Sequence, residues 1–96
     1  MENSKVSMNW AANMGLFGFP PEDREQITRA IESIAEPDPD KWPKGKVFKL
    51  DMPGNVYVLH VNPKIRVIFQ LTEKRTVQIL DIVLRDTLLT FSSKVG

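Results

Sequence analysis

The chain has no cysteine and a single histidine, His60, in 96 residues. The first absence excludes disulfides and thiolate metal sites, and it fits a reducing compartment. The second excludes a cluster of imidazole ligands. Neither a metal nor a cofactor is expected. No apolar run approaches the ~20 residues that span a bilayer, so no membrane partner is expected either. The opening Met-Glu-Asn-Ser-Lys lacks the charged-then-apolar layout of a signal peptide, and the expected location is the cytoplasm. Charge of one sign is also scarce: 13 Lys and Arg stand against 12 Asp and Glu, a net charge of +1. Proteins that grip phosphates over a broad surface usually carry a clear excess of Lys and Arg, so here distribution matters more than the total.

The distribution is uneven. Residues 22–40 are mostly acidic, whereas Lys41, Lys44, Lys46 and Lys49 follow with no acidic residue between them. The hydrophobic fraction of 42% is ordinary for a globular protein. The length predicts one domain over residues 1–96, with 1–4 and 92–96 fraying.

Residues 56–85 organise the rest. Three runs rich in Val, Ile, Phe and Tyr are separated by Asn62-Pro63-Lys64 and by Thr72-Glu73-Lys74-Arg75. Such residues fit a pleated surface, and connections this short force antiparallel pairing. Period-two alternation places Ile65, Val67, Phe69 and Leu71 on one face of the second run, and Arg66, Ile68 and Gln70 on the other. In the third run it groups Gln78, Leu80, Ile82 and Leu84 against Val77, Ile79, Asp81, Val83 and Arg85. One face is apolar and is expected to pack on a helix. The other is expected to be partly open, with Arg66 and Arg85 on it.

The helix is predicted over residues 21–35. Pro21 suits the first helical position, and Glu22, Asp23 and Glu25 sit where the helix dipole favours negative charge. Ile27, Ala30, Ile31 and Ile34 form one apolar stripe, and Glu36-Pro37 ends the element. Before it, residues 5–10 alternate as a short strand would. Residues 11–19 are expected to be a turn-rich or weakly helical connection whose Phe17 and Phe19 plug into the core. Trp10 and Met14 are candidates for exposed interface residues. After the helix, residues 37–45 read as a loop, 46–50 as a strand, and Pro53-Gly54 as a type II turn with Gly54 at positive φ.

This order of helix, basic loop, Pro-Gly turn and three-strand meander ending in an arginine resembles the RelE/ParE superfamily of type II toxin–antitoxin toxins. The resemblance covers about residues 19–91. It rests on Pro20-Pro21-Glu22-Asp23-Arg24-Glu25-Gln26-Ile27, Met52-Pro53-Gly54, Ile65-Arg66-Val67-Ile68-Phe69, and Leu80-Asp81-Ile82 with Leu84-Arg85-Asp86. It implies an α+β fold, one main N-terminal helix packed on a four-stranded antiparallel sheet. It also implies an antitoxin partner and, in the RNA-cleaving branch, a ribosome-dependent mRNA endonuclease. By position, Arg66 and Arg85 are the phosphate-binding pair. Attack by a ribose 2′-hydroxyl loads negative charge on the phosphorus centre, which fixed guanidinium forks neutralise. His60 is the candidate proton-transfer group. Lys41, Lys44, Lys46, Lys49 and Lys64 are candidate RNA contacts, with Trp42 stacking beside them. Ile65 and Phe91 stand where the family carries tyrosines. Two other readings therefore stay open: a non-catalytic module that binds a protein partner, and a gyrase-directed toxin of the ParE kind. In the plainest reading Arg66 and Arg85 are solvated strand residues pairing with Asp81 or Asp86.

Overall fold

The computed structural model describes residues 6–87. The ends expected to fray, 1–4 and 92–96, and the tail positions Leu88, Leu89 and Phe91 lie outside the described residues. In chain order the elements are β1 (Val6–Met8), α1 (Trp10–Phe17), α2 (Pro21–Glu32), a 3₁₀ turn (Pro39–Lys41), β2 (Val47–Lys49), β3 (Val56–His60), β4 (Ile65–Leu71) and β5 (Val77–Leu84). The strands form one sheet in the order β1-β5-β4-β3-β2. The α+β class and the helix-on-sheet layering match the expectation, but the sheet has a fifth strand and a second helix covers it. Strands β2 to β5 are antiparallel neighbours, and β1 adds to the far edge of β5 in parallel, Val6 opposite Val77. A parallel edge is the natural outcome where the chain leaves β1 through a helix instead of a hairpin.

α1 forms where the sequence suggested only a weak helix. Asn9 caps it, its side chain accepting the Ala12 backbone N–H at 2.9 Å. Gly15 does not loosen it; that residue is the point of closest approach to β5. A Cβ built there lies 2.9 Å from the carbonyl oxygen of Ile82. Ala12 is buried beneath α1, whereas Trp10, Met14 and Phe17 are 77%, 54% and 70% exposed. Phe17 is thus on the surface and not in the core as expected, because the glycine and alanine face of the helix is the one narrow enough to reach the sheet. Phe19 is half-buried against the core.

α2 begins at Pro21 with Glu22 and Asp23 in its first turn. It ends at Glu32, three residues short of the expected boundary, with Ile34 continuing in a turn. Ile27, Ile31 and Ile34 are buried against Leu59, Ile65, Val67, Phe69, Ile79 and Ile82. Trp42 joins them. Its Nε1–H donates to the Glu36 carbonyl at 2.7 Å, and its ring meets Tyr57 and Phe69 edge-on at 4.9 and 5.1 Å. The expectation that Trp42 stacks on RNA is overturned: it is core, because the proline-rich loop folds back and buries it. Gly54 takes φ of +85°, as the Pro-Gly turn requires.

Strict alternation fails in β5. The register runs from Ile68 opposite Asp81 to Phe69 opposite Ile79, so Leu80 is an extra residue. This β-bulge reverses the parity along the strand. Val77, Ile79 and Ile82 all face the core, whereas the period-two reading had separated Ile82 from the other two.

The close approach at Gly15 predicts opposite signs for two glycine substitutions. Gly15→Ala meets a backbone carbonyl that cannot yield and is expected to cost about 1–2 kcal/mol despite its better helix propensity. Gly18→Ala, at φ −75°, is expected to raise stability by up to about 1 kcal/mol. Urea unfolding midpoints measure both.

Candidate active site

β3 and β4 place His60 directly opposite Arg66, and β4 and β5 place Arg66 opposite Val83. Directly opposite residues have Cβ atoms about 4.5–5.5 Å apart. The Arg85 N–H donates to the Lys64 carbonyl at 2.7 Å, which carries the β4–β5 pairing one step past the end of β5. Arg85 opens a helical turn just past β5, and its charge acts on both Arg66 and His60, which places it near them. The ends of three neighbouring strands bring His60, Arg66 and Arg85 together, with His60 and Arg66 on the face opposite the helices. That face is less open than expected, since Val56, Val58 and Arg66 on it are buried.

Arg66 is only 7% exposed. A buried guanidinium needs hydrogen-bond partners, and it finds them in the turn before its own strand. Its Nη1 donates to the carbonyls of Asn62 and Ile65 at 2.6 and 3.0 Å. Asn62 sets that turn. Its Oδ1 accepts the N–H groups of Lys64 and Ile65 at 2.8 and 2.9 Å, and its Nδ2 donates to Gln26 Oε1 of α2 at 2.7 Å. Asn62 thereby holds Arg66 in place. Sequence reasoning treated it only as half of an Asn-Pro turn, and its capacity for Asx-type hydrogen bonding was the signal available.

Counter-charge is sparse at this cluster. Among the described residues no carboxylate pairs with Arg66. Arg85 has only Asp86 at 3.8 Å, both side chains being well exposed, and a pair of that kind is worth little. Asp81 does not pair with either arginine; its Oδ1 accepts the Ile82 N–H at 2.8 Å, on the side of Gly15. Arg66 thus lacks a carboxylate partner among the described residues and Arg85 has only a weak exposed one, which suits the two guanidinium groups to an anion carrying several oxygens. Burial and then Arg85 lower the Arg66 pKa from its ordinary value, yet an arginine stays charged at any ordinary pH. Burial first, then Arg66, then Arg85 lower the pKa of His60. The imidazole is therefore neutral at pH 7, the form that accepts a proton.

The lysines divide. Lys46 lies beside the cluster, its carbonyl accepting the His60 N–H at 2.8 Å. Lys64 lines a hollow with Pro63, Leu84, Arg85 and Asp86. Lys41 instead pairs with Glu36 at 3.3 Å. Lys44 and Lys49 line a separate hollow with Trp42 and Tyr57, and Lys49 is opposite Tyr57 in the β2–β3 pairing, on the helix-covered face. Tyr57, the single tyrosine of the chain, is likewise on that face and away from Arg66. Among the described residues no group of three or more His, Asp or Glu side chains could hold a metal ion, and no helix is long and apolar enough to cross a membrane.

Comparison with solved structures finds the same overall fold. The archaeal RelE of the RelE–RelB complex from Pyrococcus horikoshii superposes with a TM-score of 0.67 at 20% identity, over 88% of this chain and 97% of that one. The isolated RelE toxin of E. coli gives 0.66 at 18% identity, over 96% and 97%. The fold is RelE-like. The RelB–RelE antitoxin–toxin complex from Methanococcus jannaschii gives 0.69 at 15% identity, over 90% and 98%. No protein-family model matches the sequence, and no curated protein matches it closely. The RelE-like fold extends over nearly the whole backbone.

The charged surroundings of His60 have a measurable consequence. A pKa lowered by folding means that the unfolded chain binds the proton more readily, so stability falls as pH drops below about 6.5. His60→Gln is expected to flatten that loss between pH 7 and 5 in thermal melts. Imidazole NMR titration should give a midpoint below the ordinary value. Arg66→Gln should raise it part of the way back and Arg85→Gln by less, since burial remains.

Proposed function

We propose that this chain is the toxin of a type II toxin–antitoxin pair, a cytoplasmic endonuclease that cuts mRNA on the ribosome. The observation that carries the reading is the convergence of Arg66 and Arg85 on the His60 imidazole, with Arg66 unpaired by any carboxylate among the described residues. The RelE-like fold supports it, and the two archaeal relatives, solved as complexes with RelB, support a protein antitoxin as partner. By this reading the antitoxin silences the toxin by covering the face that bears Arg66 and Arg85.

The chemistry follows from the residues. Arg66 and Arg85 bind the non-bridging oxygens of one phosphodiester and neutralise the charge that grows as the adjoining ribose 2′-oxygen approaches. His60 takes the 2′-hydroxyl proton. The new bond joins phosphorus to the 2′-oxygen and the bond to the 5′-oxygen breaks. The products are a 2′,3′-cyclic phosphate and a 5′-hydroxyl whose proton comes from solvent. Lys46 and Lys64, on either side of the cluster, contact neighbouring phosphates. Lys41, Lys44 and Lys49 are set apart from it and contribute at most to diffuse attraction.

One observation favours a second reading, a binding module without catalysis. Among the described residues this face offers no aromatic hydroxyl as a proton donor, since Tyr57, the single tyrosine of the chain, is on the opposite side of the sheet. A ParE-like toxin directed at gyrase would share that lack. Expression of the protein alone in a bacterial host separates the three. Growth arrest with mRNA cut within codons is the expected outcome. Arg66→Ala or Arg85→Ala should each lower the cutting rate by about 10²–10³-fold, and His60→Gln by about 10²–10⁴-fold. Arrest with DNA breaks would identify the gyrase reading. Harmless expression of the wild type would leave the binding module.

A further inference from the structure

Phe48 takes no part in the chemistry above, yet it borders it. The β2–β3 register sets Phe48 opposite Val58, on the face that carries His60 and Arg66. Its neighbours Val47 and Lys49 point to the other side. The Phe48 ring remains 45% exposed. Its centroid is 4.7 Å from that of the His60 imidazole, with the planes inclined by 43°. Phe48, His60 and Arg66 stand on three successive strands, with Arg85 at the end of a fourth. Strands are spaced about 4.8 Å apart, so Phe48 lies roughly two spacings, about 10 Å, across the sheet from Arg66. That is the scale of the separation between a phosphate and a nearby base on the same strand.

An exposed apolar ring on the same face as a cluster of guanidinium groups is the combination that holds single-stranded nucleic acid. Charge tracks the backbone while a π-face takes a base. We propose that Phe48, backed by the His60 ring, is a stacking platform for the base of a nucleotide adjoining the phosphate held by Arg66 and Arg85. The inference rests on the RNA-cleaving reading and adds to it the form of the substrate. The RNA must be single-stranded at this point, because the bases of an A-form duplex are stacked on one another and out of reach. A phenyl ring carries no donor or acceptor, so the platform holds a base without reading its Watson–Crick edge.

The test measures single-turnover cutting of synthetic mRNA on programmed ribosomes as a function of protein concentration. The variants are Phe48→Ala, Phe48→Leu and Phe48→Trp, with melting temperatures to show that each is folded. Phe48→Leu keeps an apolar contact with His60 but has no π-face. Phe48→Ala and Phe48→Leu are expected to raise the half-saturating concentration roughly 5- to 150-fold, and Phe48→Trp to keep it near the wild type. A matched mRNA with one abasic nucleotide beside the cut should weaken the wild type similarly and the alanine variant little further. Equal saturation by wild type, Phe48→Ala and Phe48→Leu would overturn the platform. So would a loss from Phe48→Ala that is undiminished on the abasic mRNA, or a Phe48→Ala effect seen only on binding to a protein partner. In those three cases loss of cutting by Arg66→Ala would leave the endonuclease standing. Failure of the wild type to cut any mRNA would overturn both.

Discussion

The alternation of β4 is the constraint on which the rest of the molecule depends. Ile65, Val67 and Phe69 are almost fully buried under the helices, and every residue between them must emerge on the other side. Arg66 lies between Ile65 and Val67. A slip of one residue would drive a guanidinium into the apolar core and expose Phe69, a change that no surface interaction could offset. The core therefore fixes the register, and the register fixes the cluster. His60 and Val83 are opposite Arg66 because Leu59 and Ile82 are opposite Val67. Packing on one face and chemistry on the other are two consequences of one pairing.

Holding cations together with little counter-charge opposes folding, and the fold shows how that is managed. Arg66 is anchored by two carbonyl oxygens, which take the hydrogen bonds of its Nη1 without cancelling its charge. A carboxylate in the same place would have been a better stabiliser and would have neutralised the site. Asn62 ties the turn to Gln26 of α2, so the helix layer sets the position of an arginine on the far side of the sheet. Functional sites commonly keep such locally unfavourable arrangements at some expense of stability. Burial first and then the two arginines lower the pKa of His60, so the groups that attract an anion also help to prepare the base beside them.

α1 shows how a helix can be specified by contact more than by propensity. Two glycines within nine residues argue against a helix in isolation. In the folded chain Gly15 is what lets the helix lie against the backbone of β5, and Asn9 supplies the cap. The consequence is an outer side made of Trp10, Met14 and Phe17, well exposed. In a helix with apolar residues all round, burying the small side leaves the large one outside.

Much of the fold was legible in the chain because its signals are local. The isoleucine stripe of α2, the Asn-Pro and Pro-Gly turns and the β-branched runs each follow from periods of 3.6 and 2 or from φ preferences. The motif resemblance named Arg66, Arg85 and His60, which the register brings to one place. Trp42, Phe17 and the parity of β5 were misread, each because a distant partner decided the outcome. Trp42 is buried by a loop folding back on Tyr57 and Phe69. Phe17 is displaced by the close approach at Gly15, and the β5 pattern is broken by a bulge that only pairing with β4 reveals. The strand at residues 5–10 was read from its alternation and is present as Val6–Met8, but its parallel pairing with β5, and the roles of Asn62 and Phe48, depend on residues far apart in sequence. Alone, the sequence determined the main helix, the strands and which residues carry charge and chemistry, because short-range sterics and periodicity settle those, whereas α1 needed its contact with β5. Tertiary structure decided which side chains face one another and which are buried, because burial and electrostatic coupling belong to pairs of segments and not to either one.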